Sequence, residues 1–148
     1  MDYEAMRAGL EQAIPFNQHL GLEVVELSEG RGVVRLPDDE ALRNHVGSQH
    51  AGALFAAGEA ASGGAFVATF AERLAEVTPL AESAEIAYKK IARGPITATG
   101  RLDASRDDLL DELESDGATR FPIAVELTNG AGDVVATMTV RWHVRRND

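Results

Sequence analysis

The chain of 148 residues contains no cysteine, which excludes disulfides, thiolate metal sites and a cysteine nucleophile and fits a cytoplasmic location. It is also short of positive charge: 14 Lys and Arg stand against 24 Asp and Glu, a formal net charge of -10. Nucleic acid and anionic membrane surfaces both call for a positive field, so neither is expected as a partner. Any phosphate-bearing ligand must find a local basic patch. His19, His45, His50 and His143 follow no zinc-binding spacing, and no metal is expected. A Gly-x-Ser-x-Gly nucleophile elbow is absent. The opening Met1-Asp2-Tyr3-Glu4 lacks signal-peptide character.

What is present is enough apolar sequence for a substantial core, 45% of residues, expected as one soluble domain over 1–148 with a charged tail at 145–148. Within it, Glu59 is the only formally charged side chain between Gly47 and Ala71, a run of Ala, Gly, Leu, Phe and Val. An ionised carboxylate in apolar surroundings costs several kcal/mol unless it is paired, hydrogen-bonded or protonated. The run is long enough to raise a transmembrane alternative. Its Ala and Gly content, the mid-span Glu59 and the lack of a flanking aromatic and basic belt argue against it.

The elements read in order. Met6, Leu10 and Ile14 at helical spacing predict a helix over Tyr3 to Ala13, within an N-terminal helical segment 1–14, stopped by Pro15. Gly21 to Leu36 reads as two strands around a turn at Ser28-Glu29-Gly30-Arg31-Gly32. A long helix is predicted from Ala51 to about Val77, with Pro79 marking its end. Four strand patterns follow: Ala84, Ile86 and Tyr88; then, after a turn at Arg93-Gly94-Pro95, Ile96 to Leu102; Phe121 to Leu127; and Val134 to Val144. A short helix capped by Ser105 interrupts them before Gly117. One buried helix after two strands, followed by four mainly antiparallel strands, predicts an α+β fold in which a curved antiparallel sheet wraps around a long central helix.

Asn44 and His50 precede that helix, in Asn44-His45-Val46-Gly47-Ser48-Gln49-His50-Ala51-Gly52. A helix beginning just after His50 would aim free backbone N–H groups at a ligand. Asn44, the His50-Ala51-Gly52 turn and Glu59, nine residues after His50, resemble the motif of the hotdog-fold acyl-CoA thioesterases of the phenylacetic-acid-pathway and 4-hydroxybenzoyl-CoA type, and the chain looks closest to their DUF4442 branch. The resemblance runs from Pro15-Phe16-Asn17-Gln18-His19-Leu20-Gly21 through the last strand.

It implies hydrolysis of an acyl-CoA or related acyl thioester. Glu59 would be nucleophile or general base, Asn44 would position water or substrate, and backbone N–H groups near Ala51 and Gly52 would form an oxyanion hole. His50 would orient the turn or touch the thioester region. No cofactor is implied beyond the coenzyme A moiety of the substrate. In relatives the helix-start donors and the carboxylate come from different subunits, which implies a homodimer or homotetramer. Two positions depart from the pattern: Ala51 replaces the first Gly of the usual pair, and Gly63 stands where some relatives carry a hydroxyl, leaving Ser62, Thr78 or Ser83 as substitutes.

Each of these residues also has a plainer reading. Glu59 could be held by a structural partner, Asn44 could only turn its loop, and Lys89, Lys90 and Arg93, the nearest approach to a basic patch for coenzyme A phosphates, could simply be solvated. The functional alternatives are a non-catalytic acyl-CoA binding or sensing module on the same fold, and last a hydratase, whose Asp-and-His motif at the helix start is missing.

Overall fold

The computed structural model describes residues 1–148. Helix α1 (Tyr3–Ala13), capped by Asp2, is followed at once by the short α2 (Pro15–His19). Pro15 therefore ends one helix and begins the next, since a first-turn position needs no N–H and suits its fixed φ. Strands β1 (Glu23–Ser28) and β2 (Arg31–Leu36) form a hairpin at Gly30, and the central helix α3 (Ala51–Thr69) comes next. Strands β3 (Val77–Tyr88) and β4 (Ile96–Arg101), helix α4 (Arg106–Asp116), and strands β5 (Ala118–Thr128) and β6 (Val134–Arg146) complete the chain. The sheet is antiparallel throughout, in the order β1-β2-β4-β5-β6-β3. Helix α3 packs on β2, β4 and β5, so the expected curved sheet around a long helix is the observed architecture.

Three boundaries differ from expectation. The long helix stops at Thr69 rather than near Val77; a 3-10 run over Ala71–Glu76 carries the chain out, and β3 begins at Val77. Glu72, Arg73 and Glu76 keep helical spacing, but an eleven-pair ladder of β3 on β6 outweighs that local preference. Pro79 consequently lies inside β3, tolerated there because β3 is an edge strand. The turn at Arg93-Gly94-Pro95 does not close a hairpin: Gly94 has φ +71°, and the segment carries the chain from the β3 edge to β4 in mid-sheet. The charged tail is partly strand, since Arg145 and Arg146 finish β6 and Arg146 pairs with Glu114 at 3.0 Å.

By length and composition α3 could cross a membrane, yet most of it is buried inside the protein. Its close seat depends on glycines in the sheet as well as small residues in the helix. A Cβ at Gly32 of β2 would lie 2.4 Å from the Ala61 carbonyl oxygen, and one at Gly100 of β4 only 2.8 Å from it. Phe66, Phe70, Phe121 and Trp142 stack in a chain with centroids 5.1 to 5.6 Å apart, the offset range favoured by aromatic pairs. At the other edge of the sheet, α1 covers β1: Arg7 donates to the Val24 carbonyl at 2.8 Å, and Glu11 Oε2 accepts the Val24 N–H at 3.2 Å. Those bonds satisfy backbone groups that an open edge would present to another strand.

Candidate active site

Glu59 lies midway along α3 and is half-buried. Its carboxylate has no hydrogen-bond or ion-pair partner in the fold, unlike the surface acids at Glu4, Glu76 and Glu114, which pair with arginines. It opens into a cavity of about 170 Å³ walled mainly by apolar side chains, among them Leu10 and Ile14 from α1 and its end, Val34, Phe66, Val67 and Trp142. Burial in that wall pushes the Glu59 carboxyl above its ordinary value of 4.5, because water that would solvate the charge is excluded. Beneath it, Ser62 Oγ donates to the Glu59 carbonyl at 2.7 Å and accepts the Trp142 indole N–H at 3.2 Å. The Ser62 hydroxyl is fully buried and committed to those two bonds. Thr78 is bonded to Asn147 at the sheet edge.

A second cleft, of about 360 Å³, lies at the start of α3 and gathers Asn44, Ala51, Lys89 and Lys90 with Leu54, Tyr88 and Ile91. Asn44 is tied into its loop: Oδ1 accepts the N–H groups of Val46 and Ser48, and Nδ2 donates to Ser48 Oγ at 2.9 Å. One Nδ2 hydrogen stays free. Gln49, which the sequence did not single out, locks the loop from behind by donating to the carbonyls of Pro37 and Gly94, both at 2.9 Å. Tyr88 donates to the Ala51 carbonyl at 3.0 Å and so pins the end of β3 to the helix start.

The two expected helix-start amides differ. His50 caps α3, its Nδ1 accepting the Gly52 N–H at 2.8 Å; the Ala51 N–H has no acceptor in the chain. Gly52 and His50 border a third groove together with Phe16, Leu20, Leu42 and Arg43. Lys90 is 3.9 Å from Asp133, whereas Lys89 has no acidic partner. Arg93 is exposed in the turn after β3 and does not line the cleft.

Within the chain, then, Asn44, Ala51, Lys89 and Lys90 share a cleft that Glu59 does not enter. The separation follows from helix geometry: Glu59 is about 12 Å further along α3 than Ala51, at about 1.5 Å of rise per residue. Asn17 of α2 is a polar wall residue of the Glu59 cavity for which the sequence carried no signal beyond its place in the stretch from Pro15 to Gly21.

The profile of the family described as "Domain of unknown function (DUF4442)" matches residues 3–144. No curated protein matches the chain. Among solved structures, the Pseudomonas aeruginosa protein PA5026, of unknown function and described as a probable thioesterase, is 31% identical with a TM-score of 0.86, covering 97% of this chain and 95% of that one. The Escherichia coli PaaI protein from the phenylacetic acid degradation operon is 18% identical with a TM-score of 0.74, over 97% of this chain and 93% of that one. SAV0944 of Staphylococcus aureus Mu50, described as a thioesterase enzyme, is 18% identical with a TM-score of 0.71, over 89% of this chain and 99% of that one. At those identities the last two speak to the fold alone, which is the hotdog fold.

Proposed function

Since the chain belongs to the DUF4442 family of hotdog-fold proteins and is similar to a probable thioesterase, we propose that it hydrolyses an acyl-CoA or related acyl thioester with Glu59 as general base. The observation that carries this reading is the Glu59 carboxylate, unpartnered and desolvated, opening on an apolar cavity. A carboxylate whose pKa burial has raised is a stronger base than an exposed one, and the fold offers it no structural partner.

The chemistry balances with water alone. Glu59 takes one proton from water, and the oxygen bonds to the thioester carbonyl carbon. The carbonyl oxygen becomes an oxyanion facing the Ala51 N–H. Collapse of that intermediate breaks the C–S bond, and the leaving thiolate receives the proton from Glu59 as the acid product departs. A well-placed oxyanion donor supplies about 3–4 kcal/mol of such a barrier.

Because one subunit holds its Ala51 N–H and its Glu59 in different cavities, the reading assigns each site to two subunits, with Asn44, Ala51, Lys89 and Lys90 from one and Glu59 from the other. Strand β3 favours such pairing: it is an edge strand of twelve residues, nearly all exposed. Lys89 and Lys90 would meet the phosphates of coenzyme A.

The test is thiol release from a panel of short, long and aromatic acyl-CoAs by the wild type. Turnover of at least one class is expected. Stoichiometric acyl-CoA binding without turnover on any would instead favour a non-catalytic binding module.

A further inference from the structure

Four polar side chains line the Glu59 cavity, and the fold satisfies two of them. Glu11 accepts from Arg7 and from the Val24 N–H, and the Trp142 indole donates to Ser62. Glu59 and Asn17 are left. The Asn17 backbone carbonyl accepts the Leu22 N–H at 3.0 Å, but its half-buried carboxamide has neither donor nor acceptor in the chain.

Asn17 is not on a loose segment. Pro15 starts α2, Gln18 donates back to the Gln12 carbonyl at 2.8 Å, and Gly21, with φ +69°, turns the chain into β1. The preceding helix is fastened to β1 through Arg7 and Glu11. The carboxamide therefore borders the cavity from a fixed backbone, and no other group of the chain claims it.

We propose that Asn17 is a positioning residue of the Glu59 site, its Oδ1 accepting one hydrogen of the water whose other hydrogen Glu59 removes. The hydrogen held by Asn17 stays on the oxygen and leaves in the acid product, and the water's free lone pair is turned toward the thioester carbon. The proposal rests on the hydrolytic reading of Glu59 and adds a second residue, from a different element, to its reacting end.

Two variants test it. Asn17→Leu, close in size and apolar, should fold as the wild type does and lower kcat by up to about 100-fold with KM within about twofold of the wild type. Asn17→Asp keeps the shape but places a second acid in the cavity, so the acid limb of the kcat profile should move to higher pH, as a neighbouring like charge demands. The limb shift reports that residue 17 faces Glu59 across the cavity, and the fall in kcat at unchanged KM reports the positioning role. If Asn17→Leu retains wild-type kcat, or Asn17→Asp the wild-type acid limb, while Glu59→Gln is inactive, the Asn17 proposal is wrong and the hydrolytic reading stands. Absence of turnover by the wild type on the whole acyl-CoA panel would overturn both.

Discussion

Ala51 and Glu59 belong to one helix but face two cavities, the first at the mouth of the basic cleft and the second in the apolar pocket beneath α1. A site needing both must draw them from two copies of the chain. Neither Glu59→Gln nor Ala51→Pro should be active alone, yet mixing them after unfolding and refolding together should restore activity, because a mixed dimer contains one intact site. With random assortment in a two-fold dimer, about a quarter of the sites recover. No recovery on mixing, with mixed dimers shown to form, would place the site within one subunit.

Ala51→Pro is informative by itself. Ala51 is the first residue of α3, and His50 before it has φ −65° and ψ 141°, the extended geometry that a following proline requires. The substitution removes the free N–H and leaves the helix intact. Unchanged thermal stability with a loss of about 100- to 1,000-fold in kcat is expected if this amide stabilises the oxyanion.

Burial raises the Glu59 carboxyl pKa, and the sign of its effect on stability follows. Well below the ordinary value of 4.5 the group is protonated in both folded and unfolded chains and costs nothing. As pH rises past that value the unfolded chain ionises first, so stability falls until the folded group also ionises. Glu59→Gln should therefore melt higher than the wild type at neutral pH, and the two melting curves should converge near the ordinary carboxyl range. A variant less stable than the wild type at neutral pH would reveal a structural partner for the carboxylate.

The glycines of the core divide by what surrounds them. Gly32→Ala would drive a Cβ to 2.4 Å from the Ala61 carbonyl and 2.6 Å from the Ala65 nitrogen, both backbone atoms that cannot swing away. A loss of about 3 kcal/mol is expected. At Gly63 the nearest atom to a new Cβ is Trp142 Cζ2 at 3.9 Å, an ordinary contact. Gly63→Ala should stabilise the helix by up to about 1 kcal/mol, a rise of about 3 °C in melting temperature for a chain this size.

How far these features were legible in the sequence depended on the range of the interaction that decides them. Glu59 stood out because a lone charge in an apolar run needs no tertiary knowledge to be conspicuous. Strands β5 and β6 were readable because Phe121 to Leu127 and Ala136 to Val144 alternate as a one-sided sheet demands, and α4 because Ser105 and the left-handed Gly117 mark its ends. The end of α3 was not readable, since Glu72, Arg73 and Glu76 continue the helical spacing and only the β3–β6 ladder, built from distant sequence, decides otherwise. For the same reason the capping of Gly52 by His50, the locking role of Gln49 and the presence of Asn17 beside Glu59 became visible only in three dimensions.

If the Glu59 carboxylate performs the proton transfer in thioester hydrolysis, its amide variant must lose turnover while still binding substrate. The most direct measurement is kcat for Glu59→Gln on the best acyl-CoA substrate of the wild type, alongside equilibrium binding of that substrate. A fall of at least about 100-fold in kcat with substrate affinity essentially retained is expected. Full turnover by the folded Glu59→Gln protein would contradict it.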